Sequence, residues 1–90
     1  MSFDIKMGLA QEYALRFRYK NEGTEIPRGH WTLQSGVDGR LVAEGDISFP
    51  PTPQKFKIVS TTTGTFVNAG SYRLVVSGVE NVEFESVEVQ

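Results

Sequence analysis

The chain has 90 residues, a formal net charge of -2 and no cysteine, which excludes disulfides, thiolate metal sites and cysteine nucleophiles. That length suits one hydrophobic core with roughly a third of the unfolded chain's surface still exposed after folding, so a single module over residues 1–90 is expected. The small net charge provides no electrostatic footprint for nucleic acid or an anionic membrane, and no apolar run reaches membrane-spanning length.

Phe3, Ile5 and Met7 alternate with Asp4 and Lys6, as in a strand with one buried face that ends near Gly8. Because the alternation begins so close to Met1, the chain is expected to be a module excised from a larger protein. Tyr13 to Lys20 carries the clearest pattern, with Tyr13, Leu15, Phe17 and Tyr19 on one face and Arg16, Arg18 and Lys20 on the other. Asn21 to Gly29 reads as a long loop from its Gly, Pro and Asn content. Trp31 and Leu33 then share a face opposite His30, Thr32 and Gln34, and Asp38-Gly39 supplies a hairpin turn into Leu41–Glu44.

Gly45 is expected to break the alternation as a bulge or a change of sheet before Asp46–Phe49. Pro50, Pro51 and Pro53 stop pairing, and Phe56 and Ile58 restart it. Phe66-Val67 precedes the last two runs, Tyr72–Val76 and Val82–Val89, which flank Ser77–Asn81 and read as a pair of neighbouring strands. Val82 and Phe84 are out of phase with Val87 and Val89, and a bulge at Glu85-Ser86 reconciles them. About eight short strands result, with no helical period anywhere.

Without a helix to cover the apolar faces, sheet must pack on sheet, so the fold class is all-β, a two-layer antiparallel β-sandwich. Two topologies fit, a jelly roll and an immunoglobulin- or fibronectin-like sandwich.

Five stretches, Gln11–Asn21, Val37–Val42, Phe49–Phe56, Asn68–Leu74 and Asn81–Val89, follow in order a pattern that resembles the galactose-binding-domain-like jelly rolls, such as carbohydrate-binding module families 6 and 35. These are accessory domains of bacterial glycoside hydrolases. The resemblance implies a non-catalytic module in an extracellular or periplasmic parent protein, with carbohydrate and the parent's catalytic domain as partners. The family's calcium-binding acidic residues precede the matched region, so calcium is not carried over. Asn81 matches an asparagine that often hydrogen-bonds sugar hydroxyls. Phe56 stands where the family often has a sugar-stacking tryptophan, although its alternation with Ile58 predicts burial.

Asn81, Trp31 and Tyr72 are the candidate carbohydrate-binding residues, the rings as platforms for a pyranose face. The phase of Trp31 with Leu33 favours the core instead, and Tyr13, Tyr19 and Phe66 pose the same choice. Asn21 and Asn68 are strand-end asparagines that could join Asn81 in a small polar site. Catalytic residues, metal ligands and cofactors are not expected. His30 is a lone histidine without a nucleophile, Asp38 is a turn residue, Asp46 shows no partner that would perturb it, and no metal-ligand spacing occurs. Arg16, Arg18 and Lys20 are expected to pair across strands with Glu83 and Glu85. The rival to carbohydrate binding is a purely structural or protein-interaction sandwich without sugar affinity.

Overall fold

The computed structural model describes residues 1–90. Seven strands, and no helix, make up the fold: β1 (Ser2–Met7), β2 (Ala14–Lys20), β3 (Arg28–Ser35), β4 (Leu41–Ser48), β5 (Lys57–Thr62), β6 (Gly70–Ser77) and β7 (Glu83–Val89). They form a four-stranded sheet in the order β1-β6-β3-β4 and a three-stranded sheet in the order β5-β2-β7. Seven strands replace the expected eight or so because Asp46 and Ile47 continue β4 unbroken, while Val67 makes only an isolated bridge to Gln11.

All pairings are antiparallel, and three of them are nested: β1 with β6, β2 with β5, and β3 with β4. The chain changes sheet at every step except the β3–β4 hairpin. This is jelly-roll pairing. The immunoglobulin-like alternative is excluded, because it would place the first, second, fourth and fifth strands in one sheet, whereas here β1, β3, β4 and β6 share one.

The neighbouring-strand expectation for the last two runs is corrected as well. β6 pairs with β1 and β3, and β7 pairs with β2 in the opposite sheet. The intervening Ser77–Val82 crosses between sheets instead of making a hairpin, because Val79 and Val82 both point into the core. Gly78 turns the chain there with φ 76°, and a Cβ at that position would lie 3.0 Å from the Arg28 carbonyl oxygen.

Sixteen buried apolar residues form the core, and Leu15, Phe17, Leu33 and Leu74 are wholly buried. Phe84 faces inward but is only half-buried; its ring meets Phe3, Phe17 and Phe49 edge-on at centroid distances of 6.0, 6.0 and 5.2 Å. The bulge expected in the last strand lies at Glu85: Arg18 faces Ser86, Tyr19 faces Phe84, and the extra residue restores the inward phase of Val87 and Val89.

Gly45 has a different role from the one expected. It lies opposite Trp31 in a continuous ladder, and a Cβ there would come within 2.9 Å of the indole Nε1 and 3.0 Å of two ring carbons. Glycine makes room for the buried indole. The bulge in this sheet is at Val42, where Leu33 faces Ala43 and Gln34 faces Leu41.

Leu15→Ala is expected to cost about 2–5 kcal/mol by leaving a cavity between the sheets, and Gly45→Ala about 1–3 kcal/mol by overpacking against Trp31. Chemical denaturation midpoints check both. A Gly45→Ala protein as stable as the parent would show that the indole yields without strain.

Candidate binding groove

The groove lies at the end of the sandwich where β2 leaves toward β3 and where β6 crosses to β7. Its walls are the loop containing Asn21, Gly23, Thr24, Glu25 and Pro27 and the crossing residues Gly78, Glu80 and Asn81, and they enclose about 530 Å³. A smaller hollow of about 330 Å³ continues past Asn81 to Lys20, Glu22 and Glu83. Asn81 lines both hollows, and no aromatic ring lines either.

Asn21 builds the wall from below. It is buried, its Nδ2 donates to the carbonyl oxygens of Phe49 (2.9 Å) and Glu25 (3.1 Å), and its Oδ1 accepts from the Gly23 amide (3.0 Å). The Asn21 backbone amide donates to Thr52 Oγ1 at 2.9 Å, and Thr52 is itself wholly buried. With both amide hydrogens and its oxygen engaged inside the protein, Asn21 shapes the loop.

Asn81 differs in its exposure and in its hydrogen bonding. It is exposed, its side chain makes no hydrogen bond to the protein, and its φ is not positive. A turn that needs left-handed backbone therefore does not account for asparagine here, since Gly78 takes that conformation. Asn68 lies apart, beyond the far end of β6, where its carbonyl accepts the Tyr72 hydroxyl at 2.6 Å. Of the three strand-end asparagines, the fold brings together Asn21 and Asn81 only.

The two candidate stacking rings take other places. Trp31 is 2% exposed and Tyr72 9%, both within the core cluster and neither in the groove around Asn81; Tyr72 instead lines a separate hollow of about 430 Å³ with Asp4, Gln34, Ser71 and Arg73. Tyr13 and Tyr19 are buried too, and Phe66 is 73% exposed. Phe56 corrects the opposite way. It precedes β5, its ring is only half-buried, and the Arg18 guanidinium and Lys20 ammonium each lie 5.7 Å from its centroid. Lys20 thus joins the hollow beside Asn81 to the ring that alternation had assigned to the core.

The basic stripe is paired as expected in part. Arg18 Nε meets Glu85 at 3.0 Å, Lys20 lies opposite Glu83 but contacts Glu22 at 3.4 Å, and Arg16 faces Glu88 across the ladder.

Asp46 does have a partner, on the outer face of the four-stranded sheet. His30 Nδ1 lies 3.0 Å from Asp46 Oδ1, and Nε2 lies 2.9 Å from Glu44 Oε1. A neutral imidazole has a single N–H and would satisfy one contact only, so these hydrogen bonds, that to Asp46 foremost, favour the protonated ring and raise its pKa above the ordinary 6.5. The signal was the hairpin register. Extended from the turn without a bulge it sets His30 against Gly45, and the bulge at Val42 moves the facing residue to Asp46. At Asp38 the Arg40 amide, donating at 3.0 Å, lowers the carboxyl pKa, consistent with the turn role.

No family model matches the chain, and no curated protein matches it in sequence. Solved structures do. Over 98% of its length the chain is similar to part of the isomalto-dextranase of Arthrobacter globiformis T6, solved with panose, at a TM-score of 0.79 and 19% identity. Over 97% of its length it is similar to a carbohydrate-binding module from the lichenase 5A of Cellvibrio mixtus, solved with cellotriose, at a TM-score of 0.66 and 14% identity. The fold is that of a carbohydrate-binding-module jelly roll. The chain spans 15% of the first of those proteins and 63% of the second.

Since the folded His30 has the higher pKa, its carboxylate contacts stabilise the protein fully below the unfolded value near 6.5 and are lost as pH rises through the folded pKa. Thermal unfolding from pH 5 to pH 9 (about the range in which a raised histidine titrates) should show the parent losing stability relative to His30→Gln as pH rises. A difference independent of pH would remove this role from His30.

Proposed function

We propose that this module is a non-catalytic accessory domain of a polysaccharide-active enzyme working outside the cytoplasm, and that it binds carbohydrate in the groove around Asn81. One observation carries the reading: an exposed side-chain amide without a partner in the protein lines an open, polar groove. Such an amide offers a donor and an acceptor side by side, which suits a pair of neighbouring sugar hydroxyls. Lys20 and the Phe56 ring extend the surface from the same side, giving a further donor and a partly exposed face.

The fold neighbours support this reading, one being a glycosidase and the other a carbohydrate-binding module. The catalytic domain of the parent protein is the second partner. The non-catalytic part of the reading draws on the carbohydrate-binding module among the fold neighbours, and the absence of aryl-glycoside turnover by Glu25→Gln, Glu80→Gln and parent proteins alike would support it, since Glu25 and Glu80 are the carboxyl groups that line the groove.

A purely structural reading draws on the burial of Trp31 and Tyr72, which leaves no aromatic ring inside the groove. Titration of labelled protein with panose, cellotriose and longer oligosaccharides separates the two. Binding at about micromolar to millimolar strength is expected, because exposed hydrogen bonds compete with water, with amide shifts centred on Asn81, Gly23 and Lys20. Asn81→Ala should abolish the shifts and leave the unfolding midpoint nearly unchanged. No shifts with any sugar at millimolar concentration would favour the structural role, and shifts that survive Asn81→Ala would place the sugar away from Asn81.

A further inference from the structure

No basic side chain and no aromatic ring lines the larger hollow of the groove. Asn21 spends its side-chain amide inside the protein, so the side chains left to meet a ligand there are Thr24, Glu25, Glu80 and Asn81. A hydroxyl and a carboxamide each offer both a donor and an acceptor, whereas an ionised carboxylate only accepts. The groove is therefore rich in acceptors, and it lacks the ring on which a neutral sugar would stack.

Both carboxylates are held at the groove by their backbones. The Glu25 carbonyl oxygen accepts from Asn21 Nδ2 at 3.1 Å. Glu80 and Asn81 are the middle residues of a turn closed by the Val82 amide donating to the Val79 carbonyl oxygen at 3.1 Å, and both valines are buried. Neither carboxylate is neutralised, since the ion pairs of the protein take Asp4, Glu22, Glu44, Asp46 and Glu85. With Glu22, Glu83 and Lys20 in the adjoining hollow, the groove holds four carboxylates against one ammonium, an excess of three negative charges in a chain whose net charge is -2. Complementarity then calls for a ligand that brings donors and positive charge.

We propose, resting on the carbohydrate reading of this groove, that its ligand is a protonated amino sugar, a glycan in which an ammonium group replaces a ring hydroxyl. The ammonium brings three N–H donors where a hydroxyl brings one, and it brings the charge that Glu25 and Glu80 lack a partner for. Neighbouring hydroxyls take the donor and the acceptor of Asn81. A neutral sugar leaves both carboxylates to water, and an acidic sugar is repelled by them. Acetylation of the amine removes its charge and leaves it a single donor, so an acetylated glycan falls with the neutral ones.

The test titrates the labelled chain with sugars that share one β-1,4-linked backbone, namely cellotriose and the trimers of glucosamine and of N-acetylglucosamine, in low-salt buffer acidic enough to protonate the amine. Exposed ion pairs are individually weak, so the glucosamine trimer should bind more tightly than cellotriose by up to about fivefold for each carboxylate it engages. Its shifts should centre on Asn81 and Gly23, and its advantage should shrink as salt is raised. Glu25→Gln combined with Glu80→Gln should bring the two affinities together. Asp4→Asn combined with Glu88→Gln, which removes the same charge on strands away from the groove, should keep the preference. Equal binding of cellotriose and the glucosamine trimer at Asn81, or tighter binding of the acetylated trimer, would overturn the amino-sugar proposal and leave the carbohydrate reading in place. Trilysine reproducing the same shifts would overturn it in favour of an indiscriminate cation site, and the absence of shifts with every sugar would overturn both.

Discussion

The burial of Val79 and Val82 governs the arrangement of the whole C-terminal half. Short as the connection between β6 and β7 is, two apolar side chains inside it gain more by entering the core than a hairpin would gain by pairing the strands it joins. The chain therefore arches over the end of the sandwich. That arch forms one wall of the groove, holds Asn81 at its rim, and delivers β7 to the outside of the three-stranded sheet.

The other wall rests on a buried polar network. Asn21 and Thr52 lie within the core end, where an unpaired amide or hydroxyl would be costly, and each spends its hydrogen bonds on holding the Asn21–Pro27 loop to the Phe49–Thr52 segment. A rigid wall bearing committed polar groups thus faces a rim bearing an uncommitted one. Nearly all large rings stay between the sheets, where Phe17, Tyr19, Phe49 and Phe84 pack edge to face, and only Phe56 remains near the groove.

Much of the fold was legible from alternation. The inward sets Leu15, Phe17, Leu33 and Leu74 and the bulge at Glu85 follow from period-two phasing alone, because a one-residue slip would turn an apolar face to water. The core placement of Trp31 was favoured by the same phasing, and Asn81 was reached only through resemblance. Phasing failed at Phe56 because the phase it shares with Ile58 is the outward one, Ile58 lying opposite Arg18 and half exposed while Val59 faces Phe17, and at Gly45, whose absence of a side chain answers to an indole on the adjacent strand. The His30 pair with Asp46 and Glu44 was hidden because a bulge at Val42 shifts the facing residue by one.

By itself the sequence determined that the chain is an all-β sandwich, which residues form its core and where its turns lie, because these follow from the local period of apolar residues and the conformational demands of Gly, Pro and Asn. Only the tertiary structure decided which strands are neighbours, that β6 and β7 lie in different sheets, and that Asn21 is committed while Asn81 is free. These depend on contacts between residues far apart in the chain, and alternation carries the face of a side chain without naming the strand beside it.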